Sequence, residues 1–167
     1  MDIELRLANT ADIPVLRQLA HKIWWAHYPE IIGTEQVEYM LELMYSEAAL
    51  QRQMAEGQVF RLILTDGEPS GFMAVSKKDA GSFFLHKFYV DNTQHRRGIG
   101  AAVFQKLLAE LPGLRELRLT VNRRNFKSIN FYFKMGFVIE QNVDIPIGNG
   151  FVMDDFQMLW RNRPDGQ

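Results

Sequence analysis

The chain has 167 residues, of which 47% are hydrophobic and 23% charged, a balance typical of a folded globular protein rather than a disordered one. Its 19 Lys and Arg residues nearly balance its 20 Asp and Glu residues, which argues against nucleic acid as a partner held by bulk charge. The sequence has no Cys and four scattered His residues, so it offers no disulfide and no pattern for a metal site. No signal peptide opens it and no apolar run approaches the roughly 20 residues that span a bilayer, so we expect a cytoplasmic protein without a membrane partner.

The spacing of apolar residues predicts one domain over residues 1–160 and a polar tail over 161–167. Strands are predicted where apolar and polar residues alternate or aromatic and β-branched residues cluster, at 3–7, 59–65, 71–77, 82–90, 116–121, 137–145 and 151–160. Helices are predicted where apolar residues recur every three or four positions, after Thr10, Gly33, Ser46, Gly98 and Asn125. The order β-α-α-α-β-β-β-α-β-α-β-β predicts an α/β (α+β) fold with helices flanking a mixed sheet.

Polar residues and glycines predict where these elements begin and end. Thr10, Ser46 and Asn125 have side chains that can cap the N-terminus of the helix that follows each of them. Asp66-Gly67 predicts a tight hairpin turn, and residues 146–150 predict a loop between the last two strands.

Charge is distributed unevenly along the chain. Residues 1–60 carry nine acidic and four basic side chains, whereas residues 61–167 carry 11 acidic and 15 basic side chains. The acidic first segment and the basic second segment indicate two ligands, or two ends of one ligand, of opposite charge. Solvated helix faces are the alternative explanation, since exposed helices are usually charged.

A basic turn with two glycines lies between a predicted strand and a predicted helix, with the sequence His95-Arg96-Arg97-Gly98-Ile99-Gly100-Ala101. Glycine lets the backbone approach an anion closely, and the helix N-terminus directs N–H groups and a positive dipole toward it. The turn therefore favours a diphosphate ligand. It does not match the P-loop pattern, and Val103 in place of a third glycine argues against a dinucleotide-binding fold. A tight turn that happens to be basic is the alternative.

A second motif follows at residues 125–137, which read NFKSINFYFKMGF. Together with the strand and turn at 85–101, it resembles the GNAT (Gcn5-related) N-acetyltransferases, which use acetyl-CoA as a cosubstrate. The resemblance extends over nearly the whole chain and implies the family's fold, with the diphosphate of acetyl-CoA bound at the turn of 95–101 and no metal. Two positions depart from the family pattern, because His95 replaces the usual Arg or Gln and Arg96 replaces a frequent Gly.

The resemblance also implies roles for particular side chains. Tyr132 occupies the position of the acid that protonates the departing thiolate, and Asn125 and Ser128 match positions that contact the pantetheine arm. Main-chain atoms of Phe88 and Val90 would pair with that arm, and the Val90 N–H would polarise the thioester carbonyl. A core aromatic role is the alternative for Tyr132.

The base that deprotonates the acceptor amine is not identified by the sequence. His86 shares a strand face with Phe88 and Val90 and titrates in the right range, although a buried, hydrogen-bonded His explains it equally well. Tyr28 and Glu30, between the first two predicted helices, are alternatives, and a chain of water molecules would need none of these residues.

The acceptor is predicted from the acidic N-terminal helices, which in this family build much of the acceptor site. Glu35, Glu38 and Glu42 recur at helical spacing near Tyr39, and carboxylates beside aromatic rings suit a cationic amine. A solvated face is the alternative for any one of these residues. Segments 32–41, 44–46 and 85–90 also resemble a subgroup that includes bacterial spermine/spermidine acetyltransferases.

Three functions follow from these observations. We expect an N-acetyltransferase that moves an acetyl group to a small-molecule amine, such as a polyamine, by direct transfer in a ternary complex. A protein or peptide N-acetyltransferase and a non-catalytic CoA-binding sensor are the alternatives. Family analogy adds a homodimer formed through an exposed strand edge at 151–160.

Overall fold

The computed structural model describes residues 1–91, 93 and 98–163. Its strands are β1 (Ile3–Leu7), β2 (Val59–Thr65), β3 (Glu68–Asp79), β4 (Ser82–Val90), β5 (Glu116–Asn122), β6 (Val138–Gly148) and β7 (Phe151–Arg161). Its helices are α1 (Ile13–His27), α2 (Pro29–Ile32), α3 (Thr34–Tyr45), α4 (Glu47–Ala55), α5 (Ile99–Glu110) and α6 (Phe126–Met135). A 3₁₀ turn at Thr10–Asp12 precedes α1.

The strands form a mixed sheet in the order β1-β2-β3-β4-β5-β7-β6, which confirms the predicted α/β fold class. Strands β4 and β5 pair in parallel from Ser82↔Glu116 to Phe84↔Arg118, while β7 pairs antiparallel with both β5 and β6. Because β7 has a partner strand on each side, the predicted exposed edge at 151–160 is wrong, and the strand at this edge of the sheet is β6. The homodimer stays a prediction.

The chain divides into two compact units, and the single domain over 1–160 stays a prediction. The first unit holds Met1–Ser76 and His86–Leu111. The second holds Lys77–Leu85 and Pro112–Gln167, as far as the chain is described. In the first unit, the apolar residues that recur at helical spacing in α1 and α3 are buried, namely Ile13, Leu16, Ala20, Ile23, Trp24, Val37, Met40 and Leu41.

The predicted capping residues before α1 and α4 have different outcomes. Asn9 rather than Thr10 caps the first turn, since its side chain accepts a backbone N–H at 2.9 Å while Asp12 accepts the Asn9 N–H at 3.0 Å. The prediction for Thr10 is therefore wrong, because this reciprocal capping box begins one residue earlier. Ser46 caps α4 as predicted, accepting a backbone N–H at 3.2 Å. The short helix α2 was not predicted.

The turns between β2 and β3 and between β6 and β7 contain residues with a positive φ. Asp66 and Gly67, with φ of 50° and 83°, form the predicted hairpin turn. Strand β6 continues to Gly148, so the predicted loop at 146–150 shortens to Asn149 and Gly150, with φ of 54° and 79°. Strand β3 likewise runs beyond the predicted 71–77.

In the second unit, α6 begins at the cap that the sequence predicts. Asn125 caps it by accepting the Ser128 N–H at 3.3 Å, and Gly136 ends it with a φ of 102°. Within the described part of the chain, no helix is long and apolar enough to cross a membrane.

Candidate active site

The glycine turn of the first unit leads into the N-terminus of α5. Gly98 has a left-handed φ of +83°, and a Cβ at this position would lie more than 4 Å from every other described residue outside its immediate chain neighbours. Ile99 is buried and anchors the first helical turn, whereas Gly100 and Ala101 are half-buried. The backbone at Gly98 is therefore open to close approach beside the N–H groups of a helix start, as a diphosphate requires. The remaining predicted residues of the turn, His95, Arg96 and Arg97, lie outside the described residues.

A buried carboxylate fixes the end of β4 that precedes this turn. The Asp91 N–H donates to a carbonyl of β3 at 2.7 Å, and its carboxylate accepts from Lys22 and from the Thr93 hydroxyl, each at 2.7 Å. Burial raises the pKa of Asp91, but the hydrogen bonds from Lys22 and Thr93 outweigh burial and hold that pKa below its ordinary value. The sequence analysis missed this residue. Phe88 and Val90, the predicted main-chain contacts of pantetheine, lie in the strand that Asp91 secures.

In the second unit, Asn125 caps α6, and Ser128 and the predicted acid Tyr132 lie on it. Asn125 is 2% exposed, and its side-chain oxygen fixes the backbone of Ser128. Tyr132, one turn farther on, is 9% exposed and packs edge-on against Phe131 and Phe137, with ring centroids 5.5 and 5.3 Å away. Packing therefore fixes the orientation of the Tyr132 ring, which both the acid role and the core role require.

His86, the predicted base, is half-buried in β4. Its Nε2 lies 2.7 Å from the hydroxyl of Ser76. This hydrogen bond is what the structural alternative predicts, and it also fixes the ring as a base would need. The catalytic role of His86 stays a prediction.

The predicted acidic residues divide between two helices of the first unit. Glu35, Glu38 and Glu42 are exposed on α3, beside the half-buried Tyr39. We call these three carboxylates the acidic face. Glu30 is exposed on α2. Among the residues that the structure describes, no group of three or more acidic or His side chains could hold a metal ion.

Five aromatic rings of the first unit pack into one group, which we call the aromatic cluster. Neighbouring ring centroids lie 4.5 to 6.4 Å apart. Its members are Trp24, Tyr28, Tyr45, Phe72 and Tyr89. The structure thus places Tyr28, a predicted alternative base, among rings at the end of α1.

Two polar atoms inside the aromatic cluster lack partners. The Trp24 indole N–H and the Tyr45 hydroxyl are buried without a hydrogen-bond partner among the described residues. Burial, reinforced by Tyr28, raises the pKa of Tyr45 well above its ordinary value. The side chains of Trp24 and Tyr89 lie close enough to the Tyr45 hydroxyl to oppose this rise in pKa. Buried polar atoms are normally satisfied, so both atoms need an explanation.

A buried lysine that the sequence analysis did not select lies next to the cluster. Lys87 is 3% exposed, donates to Gln58 Oε1 at 3.0 Å, and lies over the rings of Tyr45 and Phe60 at 5.7 and 5.3 Å. Burial lowers the pKa of Lys87 to about 7. Strand alternation would have found it, because it shares the buried side of β4 with Leu85.

Asp155 is a second buried ionisable group, in the second unit. It is 3% exposed, and burial raises its pKa to about 6 despite a hydrogen bond with Thr120 and the nearby charge of Arg123. Arg123 itself donates to the Asp155 backbone carbonyl at 3.0 Å and to Asp144 at 2.7 Å. No described cation forms a salt bridge with the Asp155 carboxylate.

A family model and a relative of known name both connect this chain with acetyltransferases. The model of the acetyltransferase (GNAT) family matches residues 17–137. A spermidine N(1)-acetyltransferase of Thermoplasma acidophilum is 26% identical over 162 residues, which cover 92% of this chain and 97% of the relative.

Solved structures share the fold over nearly the full length. The PaiA N-acetyltransferase from T. acidophilum, crystallised in complex with coenzyme A, has a TM-score of 0.77 at 24% identity and covers 97% of this chain and 100% of that one. A spermidine N-acetyltransferase SpeG chimera from Vibrio cholerae and hSSAT has a TM-score of 0.70 at 15% identity, with 96% of each chain covered. Since the family model spans more than half of the residues and the fold agrees, the chain belongs to the GNAT family of acetyltransferases.

Proposed function

We propose that this N-acetyltransferase uses acetyl-CoA to acetylate a primary amine of a small polycation such as spermidine. The observation that carries the acceptor class is the acidic face of α3. Its three carboxylates are exposed, and none forms a salt bridge with a described residue. Similarity to a spermidine N(1)-acetyltransferase supports the same class.

The acidic face suits a molecule with several spaced positive charges. Residues three and four apart lie on one side of a helix, so Glu35, Glu38 and Glu42 form a row of negative charge. Each exposed carboxylate attracts an ammonium weakly, and salt screens that attraction. A polycation that contacts all three gains from each of them, whereas a monoamine gains from one at most.

The glycine turn supports acetyl-CoA as the donor. Gly98 has a left-handed φ, no described residue outside its immediate neighbours would contact a side chain there, and the N-terminus of α5 follows directly. The backbone N–H groups of this turn would hold the diphosphate. Asn125 and Ser128 would contact the pantetheine arm, as would the main chain of Phe88 and Val90.

Acetyl transfer requires a polarised thioester carbonyl, an acid for the departing thiolate and a neutral acceptor amine. The Val90 N–H would polarise the thioester carbonyl, and Tyr132 would give its proton to the departing thiolate. The acceptor must arrive as a neutral amine, for which His86, Glu30 with Tyr28, or a water chain are the candidate routes. Positioning the amine against the thioester would supply much of the rate.

The direct test is turnover of acetyl-CoA with a panel of acceptors, measured by thiol release. The panel contains spermidine, spermine, a simple alkylamine, and peptides with an N-terminal amine or a lysine. We expect the two polyamines to have the highest kcat/KM. Turnover of peptides alone would mean a protein acetyltransferase, and CoA binding without turnover of any amine would mean a sensor.

A charge-matched pair of variants tests the acidic face itself. Glu35, Glu38 and Glu42 are replaced together by Gln in one variant. The control replaces three exposed acids outside the acidic face, Glu4, Glu56 and Glu68, and so changes the net charge equally. We expect the first variant to raise the KM for spermidine several-fold without changing the KM for acetyl-CoA, and the control to change neither. The proposal fails if both variants behave alike or if ionic strength leaves the KM for spermidine unchanged.

A further inference from the structure

The end of β4 approaches β3 at Gly71 more closely than a side chain at that position would allow. Gly71 is buried and its φ is not positive, so its backbone conformation alone does not require glycine. A Cβ at this position would overlap the Tyr89 carbonyl oxygen and lie 3.0 Å from the Val90 Cα and 3.2 Å from the Ile63 side chain. Backbone atoms of β4 therefore occupy the space that a side chain at position 71 would need.

A β-bulge in β3 places Ser70 beside the same part of β4. Gly71 pairs with Ile63 of β2, but the next pair of that ladder skips Ser70. The Ser70 carbonyl accepts the Asp91 N–H at 2.7 Å, and its hydroxyl donates to the Ile63 carbonyl at 3.2 Å. Bulges are frequent beside active sites, where they redirect the backbone. Ser70 and Gly71 thus contact the last residues of β4 from one side.

These contacts determine the direction of the Val90 N–H. The Tyr89 carbonyl and the Val90 N–H belong to one planar trans peptide unit, so they point in opposite directions. Since the carbonyl oxygen lies against Gly71 of β3, the N–H points to the other side of β4. The next N–H, that of Asp91, points back to β3, as alternation along a strand requires.

The direction of this N–H matters for the chemistry of a thioester. The pairing of β4 with β5 ends at Phe84, so that ladder does not use the Val90 N–H. The carbonyl oxygen of the thioester gains negative charge as the amine nitrogen bonds to the carbonyl carbon, and it loses that charge as the C–S bond breaks. An N–H that is already directed at this oxygen stabilises the charge without reorganisation.

We propose that Gly71 is a positioning residue for acetyl transfer, because the space it leaves admits the Tyr89 carbonyl and so directs the Val90 N–H at the thioester oxygen of the donor. This rests on the proposed function and deepens it, since it names the residue that fixes the polarising group. Gly71 itself does not touch the donor. A side chain at position 71 would push the peptide unit of Tyr89 and Val90 away and turn the N–H from the oxygen.

Gly71→Ala tests this role, because one methyl group is the smallest change that meets the Tyr89 carbonyl. Combining it with Ile63→Val removes the one side-chain atom in its way and leaves the overlap with the backbone. The controls are Ile63→Val alone and Ala74→Gly, which alters the same strand without adding a side chain. With the best acceptor of the panel, we expect both Gly71 variants to lower kcat about 10²-fold and the controls to keep it. The dissociation constant for CoA, which has no acetyl carbonyl, should change at most a few-fold.

The donor carbonyl reports the hydrogen bond directly. Acetyl-CoA labelled with ¹³C at the carbonyl is bound without an acceptor, and its resonance moves to higher frequency when the carbonyl accepts a hydrogen bond. We expect this shift in wild type and both controls, and its loss in the two Gly71 variants. Restored kcat in the double variant would mean that Gly71 only avoids crowding Ile63. That result, or a full carbonyl shift in Gly71→Ala, would overturn the proposal.

Amide hydrogen exchange in wild type decides the question if the Gly71 variants do not fold. We expect the Asp91 amide to exchange slowly in the free protein, and the Val90 amide to slow more with acetyl-CoA than with CoA. Equal exchange of the Val90 amide with the two ligands would overturn the proposal. Because neither spectroscopic measurement uses an acceptor, a wrong acceptor class would appear only in turnover. Wild type that binds no acetyl-CoA would refute the proposed donor, and the positioning role with it.

Discussion

Replacing Lys87 by Met removes a buried amine that the folded chain holds in its neutral form at high pH. The ammonium of Lys87 would lie over the rings of Tyr45 and Phe60 with one neutral hydrogen-bond partner, and these contacts do not replace its water shell. The methionine side chain keeps a similar length and carries no charge. We expect the variant to gain stability relative to wild type at neutral pH, with a difference that depends on pH.

The sign of that dependence follows from the two pKa values. The pKa of Lys87 is about 7 in the folded chain and 10.5 in the ordinary, solvated state, so the unfolded chain binds the extra proton between these pH values. Wild type therefore becomes more stable relative to the variant as pH rises from about 7 to 10.5. The ratio of the two folding equilibrium constants changes about tenfold per pH unit. The difference in the free energy of unfolding therefore changes by on the order of 5 kcal/mol over the full range.

The assay is urea unfolding of both proteins at pH 7, 8, 9 and 10, with the difference in the free energy of unfolding plotted against pH. Lys77→Met is the matched control, because Lys77 is exposed in β3 and should give a flat difference. A flat difference for Lys87→Met would refute the reasoning, since Lys87 would then keep its charge in the folded chain.

Three further outcomes test other parts of the account. Tyr132→Phe should lower kcat about 10²-fold in steady-state assays with little change in CoA affinity, and a near wild-type kcat at neutral pH would mean that water protonates the thiolate. Gly98→Val should weaken CoA binding at least about tenfold in calorimetry, because it adds a branched side chain where the backbone must meet phosphate and strains a φ of +83°. Unchanged affinity would remove the turn from the site. Asp155→Asn should gain stability relative to wild type as pH rises from 3.8 to about 6, because the raised pKa of Asp155 makes wild type lose stability over that range. In urea unfolding, a difference in the free energy of unfolding that stays constant over this pH range would contradict the prediction.

Much of the fold could be predicted because local chemistry determines it. The apolar stripes of α1 and α3, the Asp66-Gly67 turn, and the Asn125 cap each depend on residues close together in the chain. Thr10 failed as a cap because Asn9 and Asp12 form a reciprocal pair that a single-residue preference does not weigh. The order of β6 and β7 depends on how distant strands pair, which no local pattern encodes.

The candidate site was less predictable because it depends on burial. Strand alternation places Lys87 on the buried side, but it does not show that Gln58 is its only hydrogen-bond partner among the described residues. Helical spacing in α1 is compatible with a buried Trp24, but it does not show that the indole N–H lacks a partner among the described residues. Asp91 follows β4 directly, yet its pairing with Lys22 joins residues far apart in the sequence.

The most direct test of the central claim is a competition assay with acetyl-CoA, spermidine and a lysine-containing peptide in one reaction, with the products identified by mass spectrometry. We expect one acetyl group on spermidine for each CoA released, and unmodified peptide. Acetylated peptide with unmodified spermidine, or no acetylated product while CoA binds, would contradict the account.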